Sequence, residues 1–454
     1  MQTLLRPFTS FFKTEAAGGV ILLVAAVVAL IWANSPFGAA YSALWETVLT
    51  VGGGPLIISK PLILWVNDGL MAIFFFVVGL EIKREVMAGE LSSPRNAALA
   101  IAAALGGMLV PALLYVFVTS GTDPIREGGW GIPMATDIAF ALGVLALLGS
   151  RAPFALKVFL TAVAIVDDLG AVIVIAIFYT AEVKVTALLI SLALVGLLVL
   201  INRLGVQKPV FYGLIGLAAW VAMLKSGVHA TIAGVLVALT IPATRQINEA
   251  EFADRVSALL AKFKEGIAGA PTQPSPDQMA AVHSLEVACE GIEPPLQRLE
   301  HSLHGFVAFF IMPVFALANA GVAFGADIGA LATDAVALGV MLGLVVGKPI
   351  GVMLLAFIAV KIGIAQLPRG VTWLHVLGVS FLTGIGFTMS IFIANLAFGT
   401  GPILDSAKLG ILAASVISGV LGAIVLTRVA PTIDTSDDLP SPVDAAEEPV
   451  VAVA

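Results

Sequence analysis

The chain has 454 residues, of which 59% are hydrophobic and only 12% charged, with a mean hydropathy of +1.05. This balance excludes a soluble domain and leaves a polytopic membrane protein. Nucleic acid is not expected as a partner, and the net charge of -7 by itself says little about function. It is also local: Asp434, Asp437, Asp438, Asp444, Glu447 and Glu448 follow Arg428 with no Lys or Arg among them, and without these six acids only -1 remains. Residues 429–454 are therefore expected to form a disordered acidic tail behind a membrane unit, 1–428.

The expected class is all-α, because the apolar runs are of helical length and apolar all round, whereas a membrane strand alternates. Twelve transmembrane helices are predicted, each to within three residues: 16–33, 62–80, 97–118, 130–148, 154–178, 185–201, 209–224, 227–241, 305–323, 332–360, 372–397 and 406–427. The first follows Arg6 and Lys13 and exceeds the roughly 7–15 apolar residues of a signal peptide, so it reads as an uncleaved span. Between the first two spans, the loop 35–61 combines Tyr41, Trp45, Val48, Leu49 and Val51 with the turn signal Gly52-Gly53-Gly54-Pro55, which predicts an external surface hairpin. Only Lys225 and Ser226 divide the seventh span from the eighth. The long loop 242–304 holds an amphipathic helical stretch, 249–264, and a Pro-rich linker, 271–276. The single cysteine, Cys289, allows no internal disulfide.

Charge orients the spans. With the N-terminus in the cytoplasm, 17 of the 23 Lys and Arg fall inside and five outside: Lys60, Arg126, Lys184, Lys225 and Lys408. An error of one span would reverse the bias of every later loop, so both termini are expected to be cytoplasmic. The remaining cation, Lys348, lies within a span.

A charge at mid-bilayer costs roughly 2.5–3.5 kcal/mol, and four groups invite it: Asp137, Asp167, Asp168 and Lys348. A structural salt bridge accounts for one Asp and one Lys, but one Lys cannot neutralise three acids. Asp167 and Asp168 are consecutive, about 100° apart on a helix, so both can line one cavity while meeting different partners. Like charges this close resist joint ionisation, which favours holding a proton or attracting a cation. Carboxylate oxygens suit a small hard cation such as Na+ or Li+.

Glycines and Pro133 interrupt the fourth span ahead of Asp137, and Gly384 and Gly386 interrupt the eleventh. Each is the middle member of a triplet, spans 3–5 and 10–12, that enters from opposite sides. Two broken, crossing helices at matching positions predict inverted repeats with the ion site at their crossing. Asp137 would then face half-helix N-termini and Lys348 the C-terminal ends, offsetting their dipoles. Thr136 adds an oxygen.

With these residues in view, the chain resembles the NhaA family of bacterial sodium/proton antiporters, a family that exemplifies inverted-repeat architecture. The resemblance is carried by WVNDGLMAIFFFVVGLEIKR at 65–84, PMATDIAF at 133–140, AIVDD at 164–168, GVHATIAG at 227–234, RLEH at 298–301 and GKPI at 347–350. It implies a secondary transporter, not an enzyme, that needs no cofactor, lies in the bacterial inner membrane and serves sodium export and pH homeostasis. Asp167 and Asp168 would carry Na+ (or Li+) and H+, with Lys348 pairing to Asp167 when Na+ is absent, and with Asp137 and Thr136 in the broken-helix assembly. More protons would enter than Na+ leaves, and a homodimer would be built partly on the hairpin. The resemblance also implies pH sensing at Glu81, Arg84, Glu85, Arg298, Glu300, His301 and His304, and links His229 and Asp68 to activity. The insertion at 265–297 and the acidic tail depart from the family pattern. A sodium-coupled symporter for an organic solute is the rival reading, and it would need a polar or aromatic substrate cavity beside Asp167.

Overall fold

The computed structural model describes residues 2–53, 57–180, 183–245, 247–265, 275–322, 333–368 and 370–429. The Gly54-Pro55 turn, most of the Pro-rich linker and the acidic tail lie outside the described residues. In chain order the elements are α1 (Gln2–Ala33), α2 (Gly38–Glu46), β1 (Val48–Val51), β2 (Ile58–Pro61), α3 (Leu62–Ala88), α4 (Pro94–Thr119), α5 (Pro124–Met134) and α6 (Ile138–Leu147). They continue as α7 (Phe154–Phe178), α8 (Val185–Arg203), α9 (Pro209–Ser226), α10 (Thr231–Thr240), α11 (Glu249–Glu265) and α12 (Pro276–Ile292). The last five are α13 (Pro295–Asn319), α14 (Ala335–Lys361), α15 (Trp373–Thr383), α16 (Phe387–Phe398) and α17 (Pro402–Thr427).

Among the described residues, eight helices are long and apolar enough to cross a membrane, and up to eleven spans result if each bent pair counts as one. The chain is thus a helical, multi-pass membrane protein. Two bent pairs fall where the interruptions were predicted. The pairs α5/α6 and α15/α16 each bend by 44°, because Pro133 removes a backbone donor from one and Gly384 and Gly386 loosen the other. The third pair is different: α2 turns 113° away from α1 and leads into the hairpin. The predicted eighth span corresponds to α10, whose ten residues rise about 15 Å, half the hydrocarbon thickness.

The hairpin is antiparallel, with Val48 opposite Pro61 and Val51 opposite Ile58. Tyr41 and Trp45 belong to α2, which the hairpin reading had not separated as a helix. Tyr41 is buried and its hydroxyl donates to the carbonyl of Leu317 (2.8 Å), fastening α2 to the end of α13. We call this end of the molecule the hairpin face.

The long loop is more ordered than its composition implied. Ser275 and Gln278 form a capping box at the start of α12, so the Pro at 276 serves as a first helical residue, where its missing donor costs nothing. Helices α11 and α12 pack on each other, and α13 begins at Pro295, ten residues before the predicted span. That extension lies against α3.

Without water to drive burial, helices approach through small residues. The closest crossing joins α4 to α14: a Cβ added at Gly106 would sit 2.0 Å from the carbonyl oxygen of Gly351, and one added at Gly351 would sit 2.0 Å from that of Gly106. This contact brings Lys348 inward, with its stem beside Gly107. Helix α7 is the most enclosed long span, 61% buried over its apolar window against 11% for α8. The predicted charges therefore lie at the centre of the bundle, and α8 lies at its edge.

Candidate functional site: carboxylates at a crossing of broken helices

Asp167 and Asp168 lie near the middle of α7 and are 1% and 2% exposed. They meet different surroundings. Asp167 Oδ2 lies 3.2 Å from Lys348 Nζ, with both side chains fully enclosed, and it accepts a 2.7 Å hydrogen bond from the Thr136 hydroxyl. The Oδ1 atoms of both aspartates are buried and accept no hydrogen bond. A buried carboxylate oxygen left in this condition is costly unless a proton or a cation reaches it.

Lys348 enters from α14 directly after a π-helical turn, Gly343–Gly347. Such single wide turns recur at functional positions. Its ammonium also donates to the carbonyl oxygen of Met134, at the end of α5. A cation thus meets the negative end of one half-helix.

Asp137 occupies the break itself as the N-cap of α6, where Oδ1 accepts from the N–H of Phe140 at 3.0 Å. Its Oδ2 accepts from the N–H of Thr388 at 3.1 Å and from the Thr388 hydroxyl, both at the start of α16. One carboxylate therefore caps two half-helix N-termini, where the dipoles favour negative charge. The breaks are also joined through backbone: Asp137 N–H donates to Ile385 (2.7 Å), and the Thr136 hydroxyl lies 3.0 Å from the carbonyl of Thr383.

The other predicted residues form separate groups. Glu81, Arg84, Glu85, Glu300 and His304 converge on the face opposite the hairpin. Arg84 bonds Glu300 and, at 2.9 Å, Glu85, and His304 lies 3.9 Å from Glu81. His301 is not in that cluster: it is exposed and 3.6 Å from Glu293. Arg298 stands three residues before His301 on the same helix. Asp68 lies near the hairpin and pairs with Lys60 of β2 at 2.7 Å. His229 holds the carbonyl of Tyr179, at 2.8 Å through Nε2. Neither joins the aspartates.

The sequence reading missed the hydroxyls of the eleventh span. Besides Thr388, the Ser390 hydroxyl donates to the carbonyl of Ile132 (2.8 Å), and Ser415 of α17 accepts from the N–H of Phe387 (3.1 Å). The signal was available in the small polar residues flanking Gly384 and Gly386. A break frees backbone donors and acceptors, and in lipid the protein itself must satisfy them.

Two interrupted helices stitched end to end, with buried carboxylates and one buried ammonium at their junction, define a class: multi-pass membrane proteins with a charged site enclosed at mid-depth. Comparison with known proteins narrows this. Residues 9–426 match the family model described as Na+/H+ antiporter 1, and the chain belongs to that family. It is 54% identical over 427 residues to the Na(+)/H(+) antiporter NhaA of Oleidesulfovibrio alaskensis, covering 94% of each chain. It is 50% identical over 429 residues to the Na(+)/H(+) antiporter NhaA of Koribacter versatilis, covering 94% of this chain and 92% of that one. It is likewise 50% identical over 425 residues to the Na(+)/H(+) antiporter NhaA 2 of Syntrophotalea carbinolica, covering 93% and 96%.

Proposed function

We propose that the chain exports Na+, and Li+ in its place, in exchange for protons by alternating access across a bacterial inner membrane, with Asp167 and Asp168 carrying both ions. The observation that carries this reading is the pair of buried Oδ1 atoms without hydrogen-bond partners, beside an ammonium able to compensate only one carboxylate. In the inward-facing state the aspartates release protons to the cytoplasm and take Na+. Lys348 leaves Asp167 as Na+ arrives and returns when it departs, so the enclosed charge changes little. Outside, protons displace the cation. More protons enter than Na+ leaves, so membrane voltage drives the cycle. The two ions compete for the same oxygens and need never be bound together.

The reading includes twelve spans: the eight long helices, the α1 span, the two broken pairs, and α10 as a short eighth. Both termini are then cytoplasmic, the hairpin is external, and spans 3–5 and 10–12 are inverted repeats. The reciprocal Gly106–Gly351 contact and the equal 44° bends support that symmetry. The exposed apolar strand β1 supports a homodimer joined through the hairpin. The Glu81–Arg84–Glu85–Glu300–His304 cluster, with Arg298 and His301 nearby, would sense cytoplasmic pH, and His229 and Asp68 would shape the external side. Residues 1–428 act as one membrane unit, and 429–454 form a cytoplasmic tail.

The test is proton flux reported by a dye in liposomes, driven by Na+, Li+ or K+ across pH, with and without an imposed voltage. Na+ and Li+ should move protons, and Asp168→Asn should stop the movement. Na+-driven flux retained in Asp168→Asn sinks the assignment.

A further inference from the structure

Three asparagines that play no part in the carboxylate site meet inside the bundle. Asn67 comes from a π-helical turn of α3, Trp65–Leu70, Asn319 from the end of α13, and Asn395 from the outer half of α16. Asn319 Nδ2 donates to Asn67 Oδ1 at 2.9 Å, and Asn395 Nδ2 donates to Asn319 Oδ1 at 2.7 Å. Asn319 also bonds the carbonyl of Phe315, 3.0 Å away. Asn67 and Asn319 are buried.

Directly inward lies an aromatic layer from the same three helices. Phe392 of α16 packs at a tilt against Phe75 of α3 (5.6 Å between centroids) and edge-on against Phe315 of α13 (6.2 Å). Along α3, Met71 sits between the two layers and is fully buried. Both layers lie between the crossing and the hairpin face: Thr388, in the first turn of α16, sits beside Asp137, and Asn395 is seven residues further on, about 10 Å along a helix axis.

The choice of residue is informative. An all-apolar seam would close this side of the crossing as well, but opening it would expose apolar surface. Buried amides behave differently, because they are satisfied by one another when closed and by water when open, so parting them leaves no donor or acceptor stranded. Asn395 is also carried by a half-helix of the crossing, whose movement would pull it from Asn319.

We propose that Asn67, Asn319 and Asn395 form the external closure of the ion path, an amide clasp that parts and hydrates when the aspartates face outward. The proposal rests on the orientation given under the proposed function, and the sidedness of the test separates the two.

Replacing Cys289 with Ser removes the chain's only thiol, so Met71→Cys becomes a reporter behind the clasp, once that protein is shown to transport. A membrane-impermeant thiol reagent is applied to sealed right-side-out vesicles. Asn395→Ala should speed labelling by about tenfold, the worth of one buried hydrogen bond, and Asn395→Ser, which keeps a donor, should stay near the parent rate. Asn67→Ala gives the same reading from α3 if Asn395→Ala does not fold. Unchanged labelling in both alanine variants, with antiport intact, overturns the clasp and leaves the amides as packing. Acceleration confined to inside-out vesicles overturns the orientation and with it the external assignment.

Discussion

Two regions of this molecule pair a cation with acids, in opposite settings. At the crossing, Lys348 and Asp167 are fully enclosed. On the face opposite the hairpin, Arg84 is 30% exposed and meets Glu300, with Glu85 beside it and Glu81 with His304 nearby. Water reaches the edge of the second region, so its charges can vary one at a time at modest cost. The first must change charge in compensated steps, because low polarity makes any single uncompensated charge expensive. Coupled exchange suits the dry region, and graded response suits the wet one.

The comparison breaks most sharply at Lys348. Lys348→Ala leaves Asp167 buried and unpaired, which should cost about 3–5 kcal/mol, seen as a lower thermal unfolding midpoint in detergent. The double variant Lys348→Ala/Asp167→Ala should recover most of that loss. If it does not, the pair is not what balances the charge there.

Asp137 comes next. Asp137→Ala removes caps from two half-helices, at about 1–2 kcal/mol each, in the same melting assay. Asp137→Asn should retain roughly half of that stability, since Asn also caps well, while the negative charge at the crossing is lost. Equal losses in the two variants would mean that charge, not capping, is the contribution.

Glu300→Gln tests the wet region. Removing one negative charge beside Glu81, Glu85 and His304 makes proton uptake by the remaining groups less favourable. The pH profile of Na+-driven proton flux should therefore move to lower pH, by about half a unit, with melting little changed. An unmoved profile would detach this cluster from pH control. The smallest effect belongs to the exposed Arg255–Glu251 pair on α11: Arg255→Ala should alter stability by less than about 0.5 kcal/mol.

Much of this was legible before the fold. Asp137, Asp167, Asp168 and Lys348 stood out because ionisable groups in apolar runs are expensive wherever the chain goes. Gly384, Gly386 and Pro133 marked the breaks because they limit the helix locally. The ends of elements were less legible: α13 begins ten residues early because its amphipathic start finds α3 to pack on, and α12 emerges from an insertion whose prolines resembled linker. Thr388 and Ser390 were marked only by their place beside Gly384 and Gly386, and the three asparagines carried no signal, since an amide is unremarkable until its partner on another helix is known.

Hydropathy and the cost of buried charge act on each residue where it stands, so the sequence by itself determined a multi-pass helical membrane protein with a charged site at mid-depth. That the Oδ1 atoms of both aspartates are left without partners, that Asp137 caps two half-helices at once, and which amides meet behind the hairpin depend on helices far apart in the chain. Those choices are set by distance and direction between elements, and only the tertiary structure decided them.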